Sequence, residues 1–213
     1  MITSTQLDGI ALVVGSGRGI AQQAAFSIAC AGARAIIFAD MNEETAKASA
    51  EESKQYATHN EYEAVHFTVN VTDEQGVQDM VDFVIEKFGR MDYCVNGAGI
   101  DNGTHHPVAE TDISNFDRVM KINTRGMMLC CRSEVAAMRR QSTQRFISRN
   151  GNGNKSRDIG RGAIVNIASA NSFAGLPGKM CYTVSKHACM AVTKMVGMYF
   201  SCLFLVVRGG GGG

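Results

Sequence analysis

The chain has 213 residues, 45% of them apolar, enough to bury one sizeable core within a single domain. Its 21 Lys and Arg stand against 20 Asp and Glu, a net charge of +1, so no global field draws it to nucleic acid or to an anionic membrane. Seven cysteines without a Cys-x-x-Cys pair suit neither a disulfide frame nor a zinc site; they read as buried, reduced thiols of a cytoplasmic protein, and no metal is expected. The N-terminus shows no basic segment leading into an apolar one, and the apolar stretch 195–207 falls short of the about 18 consecutive residues that suggest a membrane span.

Residues 10–14 form a continuous apolar run between Gly9 and Gly15, as expected of a strand buried on both faces of a parallel sheet. Gly15-Ser16-Gly17-Arg18-Gly19-Ile20-Ala21 follows, then a helical pattern with Ile20, Ala24 and Ile28 on one face. Strand, glycine turn and helix make a phosphate cradle, because backbone NH groups and the helix N-terminus face the anion and glycines let it approach. The spacing is Gly-x-x-x-Gly-x-Ala rather than Gly-x-Gly-x-x-Gly, and an ordinary glycine turn is the alternative. A second apolar run, 33–39, ends at Asp40, roughly 20 residues past the turn, where an acid that bonds an adenosine ribose is expected. Asp40 also fits a cap for the next helix. A carboxylate there favours NAD over NADP, whereas Arg18 in the glycine turn would pair with a 2′-phosphate. The balance leans to NAD, since no basic residue follows Asp40.

A charged, alanine-rich helix is expected over 42–57, and a third strand over 63–69 leads into Asn70-Val71-Thr72-Asp73. With Thr72 or Asp73 as cap, Val77, Met80, Val81, Val84 and Phe88 make an amphipathic face that ends at Gly89. A short strand at 92–95 runs into Asn96-Gly97-Ala98-Gly99, small residues against which a flat cofactor could lie. This alternation calls for an α/β fold, a right-handed, doubly wound parallel sheet of Rossmann type between two helix layers, with its ligand at the carboxyl ends of the strands.

His105 and His106 lack partners at metal-ligand spacing and read as solvated loop residues. Residues 113–140 read as one long helix or two abutting ones, with Phe116, Val119, Met120, Ile122, Met127, Met128 and Leu129 inward. Asn123 lies mid-pattern, where a buried amide either kinks the helix and serves a site or satisfies a core carbonyl. Residues 141–162, polar and basic, are expected to be an exposed, mobile insertion. A fifth strand at 163–168 leaves Ser169 at its carboxyl end. If the segment beyond Pro177-Gly178 is helical, Tyr182 and Lys186 are four apart on one face. A phenol titrates near about 10, so it serves near neutrality only where a neighbouring positive charge favours its phenolate. Lys186 is placed to supply that charge.

Taken together these motifs resemble the classical short-chain dehydrogenase/reductase family over about residues 7–194. The family's Thr-Gly-x-x-x-Gly-x-Gly appears as Val14 to Ala21, its Asn-Asn-Ala-Gly as Asn96 to Gly99, and its adenine-side Asp-Val as Asn70-Val71. Its catalytic Asn, Ser, Tyr and Lys match Asn123, Ser169, Tyr182 and Lys186, with the family's spacing between Ser169 and Tyr182. The resemblance implies hydride transfer between a nicotinamide cofactor and an alcohol or ketone. Tyr182 would exchange a proton with the substrate oxygen and Ser169 would hydrogen-bond it; Lys186 would bind the nicotinamide ribose and lower the tyrosine pKa, and Asn123 would hold a relay water. Gly15, Ser16, Gly17, Arg18, Gly19, Ile20, Asp40, Asn70, Val71, Asn96, Ala98 and Gly99 would contact the cofactor together with Tyr182 and Lys186. The resemblance also implies a homodimer or homotetramer paired through helices near 113–140 and 181–200.

The chain departs from the pattern at Val14, which lacks a steadying hydroxyl, at Ala21, which adds a methyl where helix and strand pack closely, and more mildly at Asn70 and Gly97. It departs more after residue 194. The family continues with further strands and a helical substrate cover, whereas this chain runs through 195–208 into five glycines. The expectation is a single NAD(P)-binding domain over 1–200, truncated at its C-terminus and lacking the usual last strands. Residues 201–213 would form an aberrant or disordered tail, as if translation had run into unspliced sequence, although 203–207 could still pair as a strand. The character of the insertion and tail points to secondary metabolism. A catalytically silent dinucleotide-binding or interaction protein is the alternative to an active oxidoreductase.

Overall fold

The computed structural model describes residues 7–101, 103, 105–147, 156–198 and 202–205. Strand β1 (Ile10–Val14) leads into α1 (Gly19–Cys30), β2 (Ala35–Asp40), α2 (Glu43–Ser53), β3 (Glu63–Thr68), α3 (Glu74–Phe88) and β4 (Tyr93–Asn96). Then come α4 (Ile113–Val119), a π-helical turn (Met120–Gly126), α5 (Met127–Met138), β5 (Gln144–Ile147), β6 (Ser156–Gly160), β7 (Ala163–Ile167), α6 (Met180–Gly197) and β8 (Cys202–Leu205).

Six strands form one sheet in the order β3-β2-β1-β4-β7-β8, and every pair in it is parallel. The chain winds outward from β1 to β3 and then returns to β4 on the other side of β1. That reversal opens a crevice at the carboxyl ends of β1 and β4, where the loops following them part to opposite faces. The alternation of side chains along β1 explains why all of it is buried. Ile10, Leu12 and Val14 pack with α3, α5 and α6 residues such as Met80, Val84, Cys130 and Cys189, whereas Ala11 and Val13 pack under α1 with Ala25, Phe26 and Ala29.

The inward face of α1 differs from the expected one. Ala21, Ala25 and Ala29 are buried, while Ile20 is 46% exposed and Ala24 and Ile28 are half-buried. Small side chains let the helix axis approach the sheet, so closeness of packing decides the face rather than side-chain hydrophobicity. Asn42, and not Asp40, caps α2, its side chain accepting from the Thr45 NH at 3.0 Å. Asp73 caps α3, and Gly89, at φ 74°, ends it. The 113–140 stretch divides into α4, the π turn and α5, and Met128 lies outward at 38% exposure.

Within 141–162, β5 and β6 pair as an antiparallel hairpin; residues 148–155, the middle of the expected mobile insertion, lie outside the described residues. At the other edge of the main sheet, β8 pairs in parallel with β7, from Ile164 opposite Cys202 to Ile167 opposite Leu205. The strand left open at 203–207 thus forms at Cys202–Leu205 and continues the sheet beyond the five strands otherwise expected; 206–213 lie outside the described residues.

Candidate active site

At the crevice, the turn after β1 and the start of α1 form the cradle the sequence suggested. Gly15 and Gly19 take positive φ of 80° and 70°. A side chain at Gly15 would meet the Ala98 backbone nitrogen at 2.5 Å, so the two small-residue turns touch only because neither carries bulk there. Arg18 occupies the N-cap position of α1 in extended backbone but gives no side-chain cap, and no acidic residue stands in the first turn. The first NH groups of α1 are thus left for an anion.

A cleft of about 870 Å³ opens beside this turn, lined by Gly15, Arg18, Asp40, Asn70, Val71, Ala98 and Gly99 among the expected residues, and by Arg118, Lys121 and Ile122 from the opposite wall. Asp40 lies at its margin, accepting from the Gly17 NH at 2.9 Å and the Asn42 NH at 3.0 Å. Asn70 turns its side-chain oxygen onto Thr72. Ser16 is fully buried and its hydroxyl faces the Ala39 carbonyl at 3.4 Å. Asn96 does not reach the cleft with its side chain, contrary to expectation. It turns into the core and donates to Glu134 Oε2 at 2.9 Å and Asn166 Oδ1 at 3.0 Å, because odd and even strand positions face opposite ways.

The expected catalytic residues meet where β7 ends. Ser169 caps the start of a 3₁₀ turn in a capping box with Ser172, accepting from the Asn171 NH at 3.2 Å, and its hydroxyl lies near enough to the Tyr182 phenol to favour its ionised form. On α6 the Lys186 ammonium lies over the Tyr182 ring, 5.6 Å from its centroid, and donates to the Ile167 carbonyl at 3.0 Å. Burial pushes the Tyr182 phenol above its ordinary value; the Ser169 hydroxyl pulls it down and Asp101 adds to the rise. The opposing pull therefore comes from Ser169 and not from Lys186, the source the helical spacing suggested. The ammonium sits against the ring face and is itself held below its ordinary value by burial.

Asn123 sits in the π turn with its amide fully used. Its oxygen accepts from the Ile100 NH at 2.8 Å, and its nitrogen donates to the Ile100 carbonyl at 2.9 Å and to Ser185 Oγ at 3.0 Å. The second sequence alternative holds here, since the amide satisfies a backbone carbonyl, and the helix is locally irregular around it. A Cβ built on Gly99 would stand 3.2 Å from the Asn123 amide oxygen and 3.8 Å from Lys186 Nζ, so Gly99 joins the cleft to the Tyr182 cluster. His105 faces the Pro177 carbonyl with its ring nitrogen at 3.1 Å, and the His106 NH donates to Gly178 O. These contacts pin the loop against the turn at Pro177 and Gly178. Among the described residues no His, Cys, Asp or Glu group is placed to hold a metal ion.

Sequence reasoning missed four residues of this neighbourhood. Cys189, read only as a buried thiol, donates to the Asn123 carbonyl at 3.0 Å. Lys179 and Asp101 form an ion pair beside Tyr182 at 3.0 Å. Glu134 is completely buried beneath Asn96. Its one signal in the sequence was an acid at an inward position of the 113–140 pattern.

Two of the departures from the family pattern prove to be one contact. A Cβ added to Gly97 would stand 2.6 Å from the Ala21 methyl and 2.8 Å from Ile167 Cδ1. The methyl at 21 fills the space that a side chain at 97 would need. Gly97→Ala is expected to destabilise the chain by about 1–3 kcal/mol through overpacking, and adding Ala21→Gly is expected to recover part of that loss. A denaturation double-mutant cycle measures it, and strictly additive effects would refute the coupling.

A doubly wound parallel sheet with a glycine turn at its switch point, an acid at the end of β2 and a Ser-Tyr-Lys cluster beyond β7 defines a nicotinamide-dinucleotide oxidoreductase. The model of the family described as short chain dehydrogenase matches residues 9–200, and the chain belongs to that family. It is 40% identical over 189 residues to "Short-chain dehydrogenase anuF" of Penicillium roqueforti, covering 89% of this chain and 67% of that protein. Among solved structures, a putative short-chain alcohol dehydrogenase from Sinorhizobium meliloti superposes with a TM-score of 0.74 at 26% identity, covering 92% of this chain and 68% of the other. A levodione reductase superposes equally, with a TM-score of 0.74 at 27% identity, over 91% and 66% of the two chains. The chain thus spans about two thirds of the length of these relatives.

Proposed function

We propose that the chain carries out hydride transfer between NAD and an alcohol or ketone, with Tyr182 as the acid–base group. The observation that carries this reading is the Tyr182 phenol beside the Ser169 hydroxyl, with the Lys186 ammonium on its ring face, at the carboxyl end of β7. A nicotinamide held in the cleft supplies or accepts the hydride. Tyr182 passes a proton to, or takes it from, the substrate oxygen, and Ser169 donates a hydrogen bond to that oxygen. Lys186, within reach of Gly99, binds the ribose hydroxyls, while Asn123 holds the Ile100 loop and a relay water. Phe173 and Leu176, exposed on the loop that follows Ser169, favour a substrate with an apolar frame.

The choice of NAD is supported by the Asp40 carboxylate at the cleft margin, where a 2′-phosphate would meet like charge. Binding of NADH is expected to be at least about tenfold tighter than that of NADPH, and Asp40→Ala is expected to narrow that gap; fluorescence titration reads both. NADPH binding tighter than NADH would overturn the preference and point to Arg18. Turnover is tested by screening alcohols with NAD and ketones with NADH; tight binding without turnover on any substrate would sink the enzymatic reading. No helix among the described residues is long and apolar enough to cross a membrane. We place the chain in the cytoplasm, which the thiols of Cys94, Cys130 and Cys189, buried and unbridged, support. Pairing through α5 and α6 into a homodimer or homotetramer and a role in secondary metabolism complete the reading, with light scattering as the check on assembly.

A further inference from the structure

We propose that Lys179 is a positioning residue for Tyr182, acting through its ion pair with Asp101; the proposal rests on the reading of Tyr182 as the acid–base group. Lys179 stands immediately before α6, three residues ahead of Tyr182, and its side chain is only 8% exposed. Its ammonium donates to both Asp101 oxygens, at 3.2 and 3.0 Å. Asp101 belongs to the loop that leaves β4 past Gly99, the same loop that Asn123 grips through both backbone groups of Ile100. The Asn123 amide nitrogen also reaches Ser185, whose hydroxyl donates to the Tyr182 carbonyl at 2.8 Å.

These contacts close a ring: Lys179, Asp101, Ile100, Asn123, Ser185 and the backbone of Tyr182. The first turn of α6 is therefore tied to the cleft wall at two points, one neutral and one charged. Loss of the neutral tie loosens the loop, whereas loss of the charged one also leaves an unbalanced carboxylate beside the phenol.

The groups facing the Tyr182 phenol are Ser169 from the end of β7, Lys186 and Cys189 from α6, and Asp101 from the loop after β4. His105, farther along that loop, is turned to the Pro177 carbonyl, and His187 lies on the exposed side of α6. Asp101 is the carboxylate of the set, and its charge favours the protonated phenol more than the neighbouring Cys189 thiol does. Lys179 offsets that charge without touching the phenol, a role separate from that of Lys186.

The test is the ionisation of the phenol itself, which can be read whether or not the chain turns over. The protein labelled with ring-¹³C tyrosine carries five such residues, and Tyr182→Phe identifies the signal of interest by its loss. Lys179→Met is expected to move the ionisation midpoint of that signal to higher pH and Asp101→Asn to lower pH. The double variant should lie between them, and Lys179→Arg should restore the wild-type midpoint. An unchanged midpoint in Lys179→Met, or an Asp101→Asn shift to higher pH, overturns the proposal. Should Lys179→Met fail to fold, Asp101→Asn and Lys179→Arg still decide it. A shifted midpoint in a chain without turnover would refute the functional reading and leave this coupling standing; turnover with an unshifted midpoint would do the reverse.

Discussion

Tyr182→Phe is expected to lower turnover by about 10²- to 10⁴-fold, the usual worth of a positioned acid–base group, while leaving NADH affinity within about a factor of two. The substitution removes the hydroxyl that Ser169 influences but keeps the ring over which Lys186 lies, so the ammonium retains its place against the Ile167 carbonyl. Steady-state rates alongside a binding titration separate the two effects, and full activity in the variant would refute the assignment. The direction in which the phenol is displaced sets the pH profile. Burial holds Tyr182 above its ordinary value, so phenolate is scarce at neutral pH. Alcohol oxidation, which needs the phenolate as base, should climb about tenfold per pH unit toward alkaline pH, whereas ketone reduction, which needs the phenol as acid, should stay flat through neutrality. Ser169→Ala removes the hydroxyl that favours phenolate and should move the rising limb farther to alkaline pH. A limb that moves toward neutrality would contradict the balance of burial against Ser169.

Glu134 carries the second large effect, on stability rather than rate. It is fully buried in the core under β4, and burial pushes its carboxyl up to about 7, with the hydrogen bonds to Asn96 and Cys94 pulling the other way. Its Oε1 and the Asn96 Oδ1 are buried without a hydrogen-bond partner, and a carboxyl proton is a donor that such oxygens lack. The folded chain therefore holds this proton up to about pH 7, while the unfolded chain releases it near the ordinary glutamate value. The contribution is fully present below about pH 4 and is lost as pH rises through about 7. The loss amounts to about 3 kcal/mol, the free-energy equivalent of the difference in proton affinity between the folded and unfolded chains. Glu134→Gln stays neutral and brings its own NH₂ donor, so it should lack this component. The variant is expected to gain on the parent progressively between about pH 5 and 8 in urea denaturation. Parallel curves for the two chains would mean that the carboxyl ionises in the fold without penalty. The effect reaches the site indirectly, since Asn96 also holds Asn166 on β7, and Asn166 donates to Thr193 of α6 at 2.9 Å.

Although the β5–β6 hairpin was not legible in the amino-acid sequence, the alternation of β1 to α5, the strand β7 with α6 after it, the glycine turn at residue 15, the acid at residue 40 and the Ser169, Tyr182 and Lys186 set were. Each of these depends on local chemistry: β-branched runs that suit a buried parallel strand, glycines that take positive φ, and a four-residue step that aligns two side chains on a helix. The caps of α2 and α3 are equally local, although the first fell to Asn42 rather than Asp40. Folding in three dimensions settled the quantities that depend on neighbours distant in sequence. The close approach of α1 to the sheet buried Ala21 in place of Ile20 and tied it to Gly97, 76 residues away by subtraction of their numbers. The partners of Asn123, the turn of Asn96 away from the cleft, and the pairing of Lys179 with Asp101 follow from which elements the winding brings together. The direction of the Tyr182 displacement belongs to the same group. Helical spacing placed a positive charge beside the phenol, but the depth of burial, which no spacing encodes, outweighed it and left Ser169 as the opposing pull.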